Sequence, residues 1–111
     1  MRKGKKMADK SARPIMRLLD ILGRRWALRV LWELRVHALT SRQLRAACGD
    51  ISPSMVQVRV DELRLAGLVS RQDGGGYVLT GLGTELLKNF LPLYQFAEHW
   101  ASEIDAPLQV G

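Results

Sequence analysis

The run ISPSMVQVRVDELRLAGLV, residues 51–69, constrains the fold more than any other part of the chain. Ser52 before Pro53 is a strong helix start, because serine can cap a free backbone N–H and proline at the first helical position loses no hydrogen bond. Gly67 is a matching stop, since helices often end on a residue with positive φ. The stretch therefore predicts a helix over residues 53–66. Its inner stripe consists of apolar residues at helical spacing: Val56, Val60 and Leu63.

The outer face of this predicted helix carries short hydrogen-bonding side chains and one branched apolar residue. Its members are Ser54, Gln57, Val58 and Asp61, with Arg59 on the flank. Hydroxyl and amide groups can meet base edges in a DNA major groove, and a branched apolar group can pack on a thymine methyl. An ordinary amphipathic surface helix has the same pattern. The helix alone therefore leaves both interpretations open.

Length and charge narrow the class of protein. A chain of 111 residues predicts one domain. A net charge of +6 favours a polyanionic partner. The charge is uneven, because residues 1–13 hold six basic and one acidic side chain, whereas residues 84–111 hold one basic and four acidic ones. The single cysteine and the lack of a signal peptide or long apolar run predict a cytoplasmic protein without a membrane partner.

The composition along the chain divides it into three parts. Residues 1–13 have no apolar period and predict a disordered basic arm, which could attract DNA or be only a solvated tail. Residues 14–104 predict the folded domain, and residues 105–111 predict a C-terminal tail.

The helix over residues 53–66, which Ser52 caps, is called the Ser52 helix below. Three short helices are predicted before it. The first runs from Pro14 to Gly23, the second roughly from Trp26 to Arg35, and the third over residues 41–48, with Thr40 or Ser41 as its cap. A connector over residues 37–40 includes a short extended piece at Leu39. Two short helices joined by a tight glycine-containing turn, the second with a polar outer face, are a helix-turn-helix pattern.

A hairpin is predicted directly after this pattern. LVSRQ and YVLT alternate apolar and polar residues around DGGG, which predicts two strands with a glycine-rich tip over residues 70–79. A hairpin in this position is a wing. Each half of the observation is weak alone, but the order and spacing together are fairly specific.

The last helix is predicted from about Gly81 to Ser102, capped by Thr80. Its apolar stripe, like that of the first helix, is broader than one small domain can cover, which predicts a homodimer. The predicted fold class is mainly α with a small β-hairpin, a winged helix-turn-helix that dimerises through its N- and C-terminal helices. The predicted interface residues are Ile15, Leu18, Leu19, Leu22, Phe90, Tyr94, Ala97, Trp100 and Ile104.

The residue pattern does not indicate an enzyme. His37 and His99 lie far apart, and no metal-ligand cluster or nucleophile with a nearby base is evident. The glycines at 74–76 lack the setting and the lysine of a phosphate loop. Cys48 is predicted to be a small buried hydrophobe. No catalytic residue, metal or cofactor is predicted, and a small-molecule effector is compatible with the sequence but unsupported by it.

From Pro14 to about Trp100 the chain resembles the HxlR-type winged helix-turn-helix transcription regulators, relatives of the MarR group. The matching runs are ILGRRWALRVLWEL, the Leu44 helix, ISPSMVQVRVDELRLAGLV and YVLTGLGTELL. The resemblance implies a DNA-binding homodimer, with the Ser52 helix in the major groove and the hairpin near the minor groove. Arg13 and Pro14 stand where the family typically has Cys-Pro, so thiol sensing at that position is not expected.

The combined prediction is a sequence-specific transcriptional regulator that binds double-stranded DNA as a homodimer on a near-palindromic operator. The predicted DNA-binding residues are Arg25, Ser41, Arg42, Ser52, Ser54, Gln57, Val58, Arg59 and Arg71. The alternative is a winged helix that serves as a protein-interaction or assembly module. An exposed apolar patch around the Ser52 helix would favour that alternative, whereas converging arginines would favour DNA binding.

Overall fold

A computed structural model describes residues 13–107 of the protein, and the predicted basic arm lies almost wholly outside this range. Five helices and two strands follow one another along the described chain: α1 (Pro14–Leu22), α2 (Ala27–Glu33), α3 (Ser41–Ala47), α4 (Pro53–Leu65), β1 (Val69–Arg71), β2 (Tyr77–Leu79) and α5 (Gly81–Ile104). The strands form one antiparallel hairpin. The predicted fold class, a mainly helical winged helix-turn-helix, is confirmed. None of the described helices has the length and apolar character that crossing a membrane requires.

The helix starts follow from side-chain capping. The Ser52 hydroxyl accepts a hydrogen bond from the Met55 backbone N–H at 3.1 Å, and Pro53 is the first residue of α4. Thr40, not Ser41, caps α3, and Gln43 reaches back to the Thr40 N–H at 2.8 Å to complete a capping box. These bonds satisfy backbone donors that have no partner inside the helix.

The second helix begins one residue later than the sequence predicts. Trp26 is not its first residue but its N-cap, and it has a left-handed backbone with φ of 75°. A bulky residue in this region is uncommon and strained, and glycine or asparagine would be the usual choice. No local feature of the sequence therefore indicates the left-handed backbone at Trp26.

One core lies between α2, α3, α4 and the hairpin. Its most completely buried side chains include the three predicted inner residues of α4; they are Leu31, Leu44, Leu63, Val30, Val56, Val60 and Cys48. Cys48 is 2% exposed, which confirms its predicted place in the core. Burial raises the pKa of the Cys48 thiol.

The wing is tied to the connector before α3. An isolated antiparallel bridge pairs Leu39 with Tyr77, and the two residues exchange backbone hydrogen bonds of 3.0 and 2.7 Å. The extended piece predicted at Leu39 is therefore present, and this residue pairs with Tyr77 of β2. Gly74, Gly75 and Gly76 all have positive φ and form the tip. The end of β2 next to the tip is thus tied to the connector before α3.

The last helix leaves the core about halfway along its length. Leu87 is 7% exposed, but every residue from Leu91 to Trp100 is exposed. The helix ends at Ile104, two residues beyond the predicted end. The Cα trace measures 58 Å along its longest axis and 26 Å along its shortest. The second half of α5 therefore projects from the domain.

Candidate nucleic-acid interface

Helix α4 presents a continuous exposed face. Its outward residues at helical spacing are Ser54, Gln57, Val58, Asp61 and Leu65, and all are exposed. The opposite stripe of the helix is fully buried in the core. Helix α3 packs against α4, and the two helices form the predicted helix-turn-helix. The polar outer face predicted from the sequence is therefore available to a partner.

Two of the predicted base-contacting side chains interact with their helical neighbours in the unbound protein. The Gln57 amide donates to Asp61 Oδ1 at 2.9 Å. The Ser54 and Ser52 hydroxyls lie 3.2 Å apart, and Ser52 is already engaged as the helix cap. These contacts are exposed, so exchange with water or a ligand costs little. Val58 is 47% exposed and presents its methyl groups to solvent.

Arg59 lies on the flank of the α4 face, as predicted, but its guanidinium interacts with groups of its own domain. Only 14% of its side chain is exposed. Its Nε donates to the Arg25 carbonyl oxygen at 2.6 Å, and its guanidinium bonds Glu62 at 2.8 Å. The guanidinium is therefore used inside the domain, because it holds α4 against the turn between α1 and α2.

Glu62 is the centre of this internal network. One carboxylate oxygen accepts from Arg59, and the other accepts from Arg24 at 2.7 Å. Arg24 also pairs with Asp20 of α1 at 3.4 Å. Charge-assisted bonds with low exposure are stronger than open surface pairs. The network therefore fixes the orientation of α4 relative to α1. Sequence patterns do not reveal this role, because residues 24 and 62 are 38 positions apart in the chain.

Three of the arginines predicted to bind DNA lie on segments that contact α4. Arg25 lies in the turn that Arg59 contacts, Arg42 lies on α3, and Arg71 lies on β1; both elements pack against α4. All three are exposed, and within residues 13–107 none of them forms an ion pair. The Arg25 guanidinium lies 5.2 Å from the Trp26 ring centroid. Ser41 is also exposed, at the first position of α3.

Arg45 shapes the turn between α3 and α4. Arg45 Nε donates to the Ile51 carbonyl oxygen at 2.8 Å, across the turn between α3 and α4. Asp50 in this turn has a φ of 60°, and its N–H donates to the Arg45 carbonyl at 2.7 Å. No pattern in the sequence indicates this role for Arg45. Its side chain fixes the entry into α4 beside the Ser52 cap.

The predicted dimer residues differ in exposure. Leu18, Leu22 and Phe90 are half-buried within the chain, and Ala97 is exposed. The large exposed members are Ile15, Leu19, Tyr94, Trp100 and Ile104, each between 41% and 57% exposed. Tyr94 stacks on Trp32 of α2, with ring centroids 4.9 Å apart. A broad apolar surface on α1 and α5 is therefore uncovered in the single chain.

No group of three metal-ligating side chains occurs within residues 13–107. His37 and His99, the two histidines considered from the sequence, are exposed and lie on different elements. Among the described hydrogen bonds, the His37 ring contacts only the Ala38 carbonyl oxygen, and the Ser102 hydroxyl donates to the His99 backbone carbonyl and not to its ring.

The chain is similar to a known family of helix-turn-helix proteins. The family model described as HxlR-like helix-turn-helix matches residues 21–105. Comparison with curated protein sequences finds no match.

Several solved structures share the fold. The quinone-bound YodB from B. subtilis is 27% identical, with a TM-score of 0.71 over 79% of this chain and 99% of that one. A possible HxlR family transcriptional factor from Thermoplasma volcanium GSS1 is 24% identical, with a TM-score of 0.71 over 80% and 85% of the two chains. A MarR family regulator from Enterococcus faecalis V583 is 20% identical, with a TM-score of 0.72 over 90% and 99%.

Proposed function

The chain belongs to the HxlR-like helix-turn-helix family, and we propose that it regulates transcription by binding a near-palindromic DNA operator as a homodimer. Helix α4 enters the major groove, and the wing lies near the minor groove. The family is one of transcriptional regulators, and the proposed activity is binding without catalysis. The proposed location is the cytoplasm.

One observation carries the DNA-binding proposal. Arg25, Arg42 and Arg71 lie on segments that contact α4, all three are exposed, and no acidic group of residues 13–107 forms an ion pair with them. Neutralising DNA phosphates with such side chains releases counterions and supplies sequence-independent affinity. Phosphate contacts set the register of the protein, and the α4 face then reads the bases. Arg59 supports this surface from within, because its guanidinium already binds Glu62 and the Arg25 carbonyl.

A protein-interaction module is the second candidate, and one observation favours it. Leu65 on the outer face of α4 is 81% exposed, and Val58 on the same face is 47% exposed. A partner with an apolar surface could cover both. The salt dependence of binding to random duplex DNA separates the two candidates, since only the DNA binder should lose affinity steeply as salt rises.

A cysteine-based switch is not part of the proposed mechanism. Cys48 is the only cysteine in the chain. It is 2% exposed, and burial raises the pKa of its thiol, so little reactive thiolate forms at neutral pH.

Replacing Gln57 by alanine is expected to relax base preference at one operator position. A glutamine amide can pair with the adenine edge in the major groove, and its loss should cost about 1–3 kcal/mol at that position. The measurement is a binding titration of wild type and variant on a duplex selected from a random pool and on random duplex. The ratio of the two affinities should fall in the variant.

Gln95→Ala is the matched control for this substitution. Gln95 is also an exposed helical glutamine, but it lies on α5 away from the α4 face. Gln57→Ala also frees the Asp61 carboxylate, which would weaken binding to all sequences alike. Equal losses on selected and random DNA would therefore contradict base reading by Gln57.

Removing residues 1–13 is expected to lower non-specific affinity. These residues carry six basic side chains and one acidic one. The slope of log affinity against log salt should become shallower by about 0.9 for each phosphate that the arm neutralises in the 111-residue chain. Titrations of the full and shortened proteins over a range of salt concentrations measure this slope. An unchanged slope would mean that the arm does not contact DNA.

A further inference from the structure

We propose that Trp26 is a positioning residue for DNA binding, whose ring holds the Arg25 guanidinium in place to bind a DNA phosphate. This role rests on the proposed function and deepens it. Trp26 has a left-handed backbone with φ of 75°, which is a steric outlier for so large a residue. Strained residues of this kind cluster at functional sites, where the strain is part of the mechanism. The observed outlier therefore points to a function for the turn between α1 and α2.

The Trp26 side chain joins the core to the exposed arginine beside it. Trp26 is half-buried and packs against the core, whereas Arg25 is exposed. The Arg25 guanidinium carbon lies over the Trp26 ring, 5.2 Å from its centroid, where a cation is attracted to the ring face. Adjacent side chains do not face each other in a helix, and they point to opposite faces of a strand. An irregular turn such as the one at Trp26 allows these two neighbours to meet.

The backbone of Arg25 is held from α4. Arg59 Nε donates to the Arg25 carbonyl oxygen at 2.6 Å, and only 14% of the Arg59 side chain is exposed. The preceding residue, Arg24, bonds to Glu62 of α4 at 2.7 Å. Arg25 is therefore supported twice, at its backbone by Arg59 and at its guanidinium by the Trp26 ring. Its position is tied to the helix that is proposed to read the bases.

The charge of Arg25 is available to an external anion. Arg24 and Arg59 both pair with Glu62, but within residues 13–107 no carboxylate forms an ion pair with Arg25. An arginine binds a phosphate through charge-assisted hydrogen bonds, and less side-chain freedom is lost when the arginine is already oriented. A mobile arginine would neutralise the same phosphate at a higher cost in entropy. Trp26 should therefore affect the affinity for DNA and not the salt dependence of that affinity.

A double-mutant cycle on random duplex DNA tests this role in the 111-residue chain. Trp26→Met removes the aromatic face and should weaken binding about fivefold, with an unchanged slope of log affinity against log salt. Arg25→Gln should make that slope shallower by about 0.9 for each Arg25 that neutralises a phosphate. When Arg25→Gln is present, Trp26→Met should change the affinity less than about twofold, because the side chain that the ring holds is gone.

Two matched variants accompany the cycle. Trp26→Phe loses a similar volume to Trp26→Met but keeps a ring face, so it should bind DNA about threefold more tightly than Trp26→Met. Arg35→Gln removes the same charge as Arg25→Gln, from an arginine that also lies over a tryptophan, 3.9 Å from the Trp32 ring centroid. It lies beyond the other end of α2, and it should leave the salt slope nearly unchanged.

A purely structural role of Trp26 predicts different results. It would make Trp26→Met weaken binding equally with and without Arg25, or make Trp26→Met and Trp26→Phe bind alike, and either result would overturn the proposal. If Trp26→Met does not fold, Arg59→Lys provides a second cycle, because lysine keeps the charge but lacks the Nε–H that bonds the Arg25 carbonyl. Its effect should also shrink in the presence of Arg25→Gln, and equal effects in both backgrounds would again contradict the positioning of Arg25.

The wild-type titration separates this proposal from the proposed function. A wild-type chain that does not bind duplex DNA would overturn both. A wild-type chain that binds with a steep salt dependence, while the effects of Trp26→Met and Arg25→Gln simply add, would overturn only the role of Trp26.

Discussion

Replacing Gly83 by alanine is expected to destabilise the domain strongly. Gly83 is buried in the first turn of α5, and an added Cβ would lie 2.2 Å from the Leu68 carbonyl oxygen. That oxygen is backbone and already accepts a hydrogen bond from Thr80 at 3.1 Å, so it cannot move freely. Overpacking of this kind costs about 1–3 kcal/mol, and the contact with rigid backbone favours the upper end. Urea unfolding measures the loss.

Gly81→Ala is the matched control in the same helical turn. A Cβ at Gly81 meets nothing within 4 Å, and the residue is exposed. Alanine there should leave stability unchanged or raise it by up to about 1 kcal/mol, through helix propensity and a less flexible unfolded chain. Both variants must be compared at one protein concentration, since self-association adds to apparent stability. Equal unfolding midpoints for the two variants would contradict the close approach of α5 to Leu68.

The elements of the fold could be predicted because their signals are local. Ser52 with Pro53, and Thr80 before α5, mark helix starts through a cap that involves residues three positions apart. The stop at Gly67 needs only a positive φ, which is 79° in the structure. The hairpin can be predicted from apolar and polar residues that alternate on both sides of a glycine-rich tip. Each of these features depends on a few neighbouring residues, so one sequence is enough to find it.

The side-chain roles around α4 could be predicted only in part. The exposed face followed from helical periodicity, which places residues 54, 57, 58 and 61 opposite the buried stripe. The role of Arg59 depended on Glu62 and on the Arg25 carbonyl, which comes from a turn 34 residues earlier in the chain. Periodicity states which side of a helix a residue lies on. It does not state which distant group an arginine will reach.

The left-handed backbone at Trp26, before α2, could not be predicted either, because it depends on distant partners. A tryptophan with φ of 75° contradicts local preference, and nothing in the neighbouring sequence compensates for it. In the structure, Arg59 and Glu62 of α4 hold this turn, through the Arg25 carbonyl oxygen and the Arg24 guanidinium. Tertiary contacts of this kind can maintain a local strain of about 1–3 kcal/mol. Such a conformation becomes visible only once the distant partners are placed.

The surface left uncovered by the single chain is the basis of the proposed dimer. The second half of α5 projects from the domain, and it carries large apolar side chains. Leu93, Phe96 and Trp100 are each more than half exposed. Exposing such a helix alone in water gives up the burial that would stabilise it. A second copy of the chain can cover α5 and the exposed side of α1, and a two-fold axis would apply the same contacts twice.

Trp100→Asp is therefore expected to break the dimer. Buried tryptophans in interfaces often contribute about 2 kcal/mol or more each, and two-fold symmetry counts the change twice. The dimer dissociation constant should rise about a thousandfold, which corresponds to about 4 kcal/mol. Sedimentation velocity from nanomolar to micromolar concentration measures it. Binding to a palindromic operator should weaken with it, because the two α4 helices would no longer be held about 34–36 Å apart.

Gln95→Asp provides the matched control, since it adds a carboxylate to the same exposed half of α5 at a position outside the predicted interface. This variant should remain a dimer and bind the operator like the wild type. Circular dichroism should show that Trp100→Asp keeps the helices that pack in the core, because Trp100 is 51% exposed and contributes little to the core of its own chain. A folded wild-type monomer that binds DNA tightly at micromolar concentration would exclude the dimer. It would also remove the reason to expect a palindrome, because a single α4 reads only one half-site.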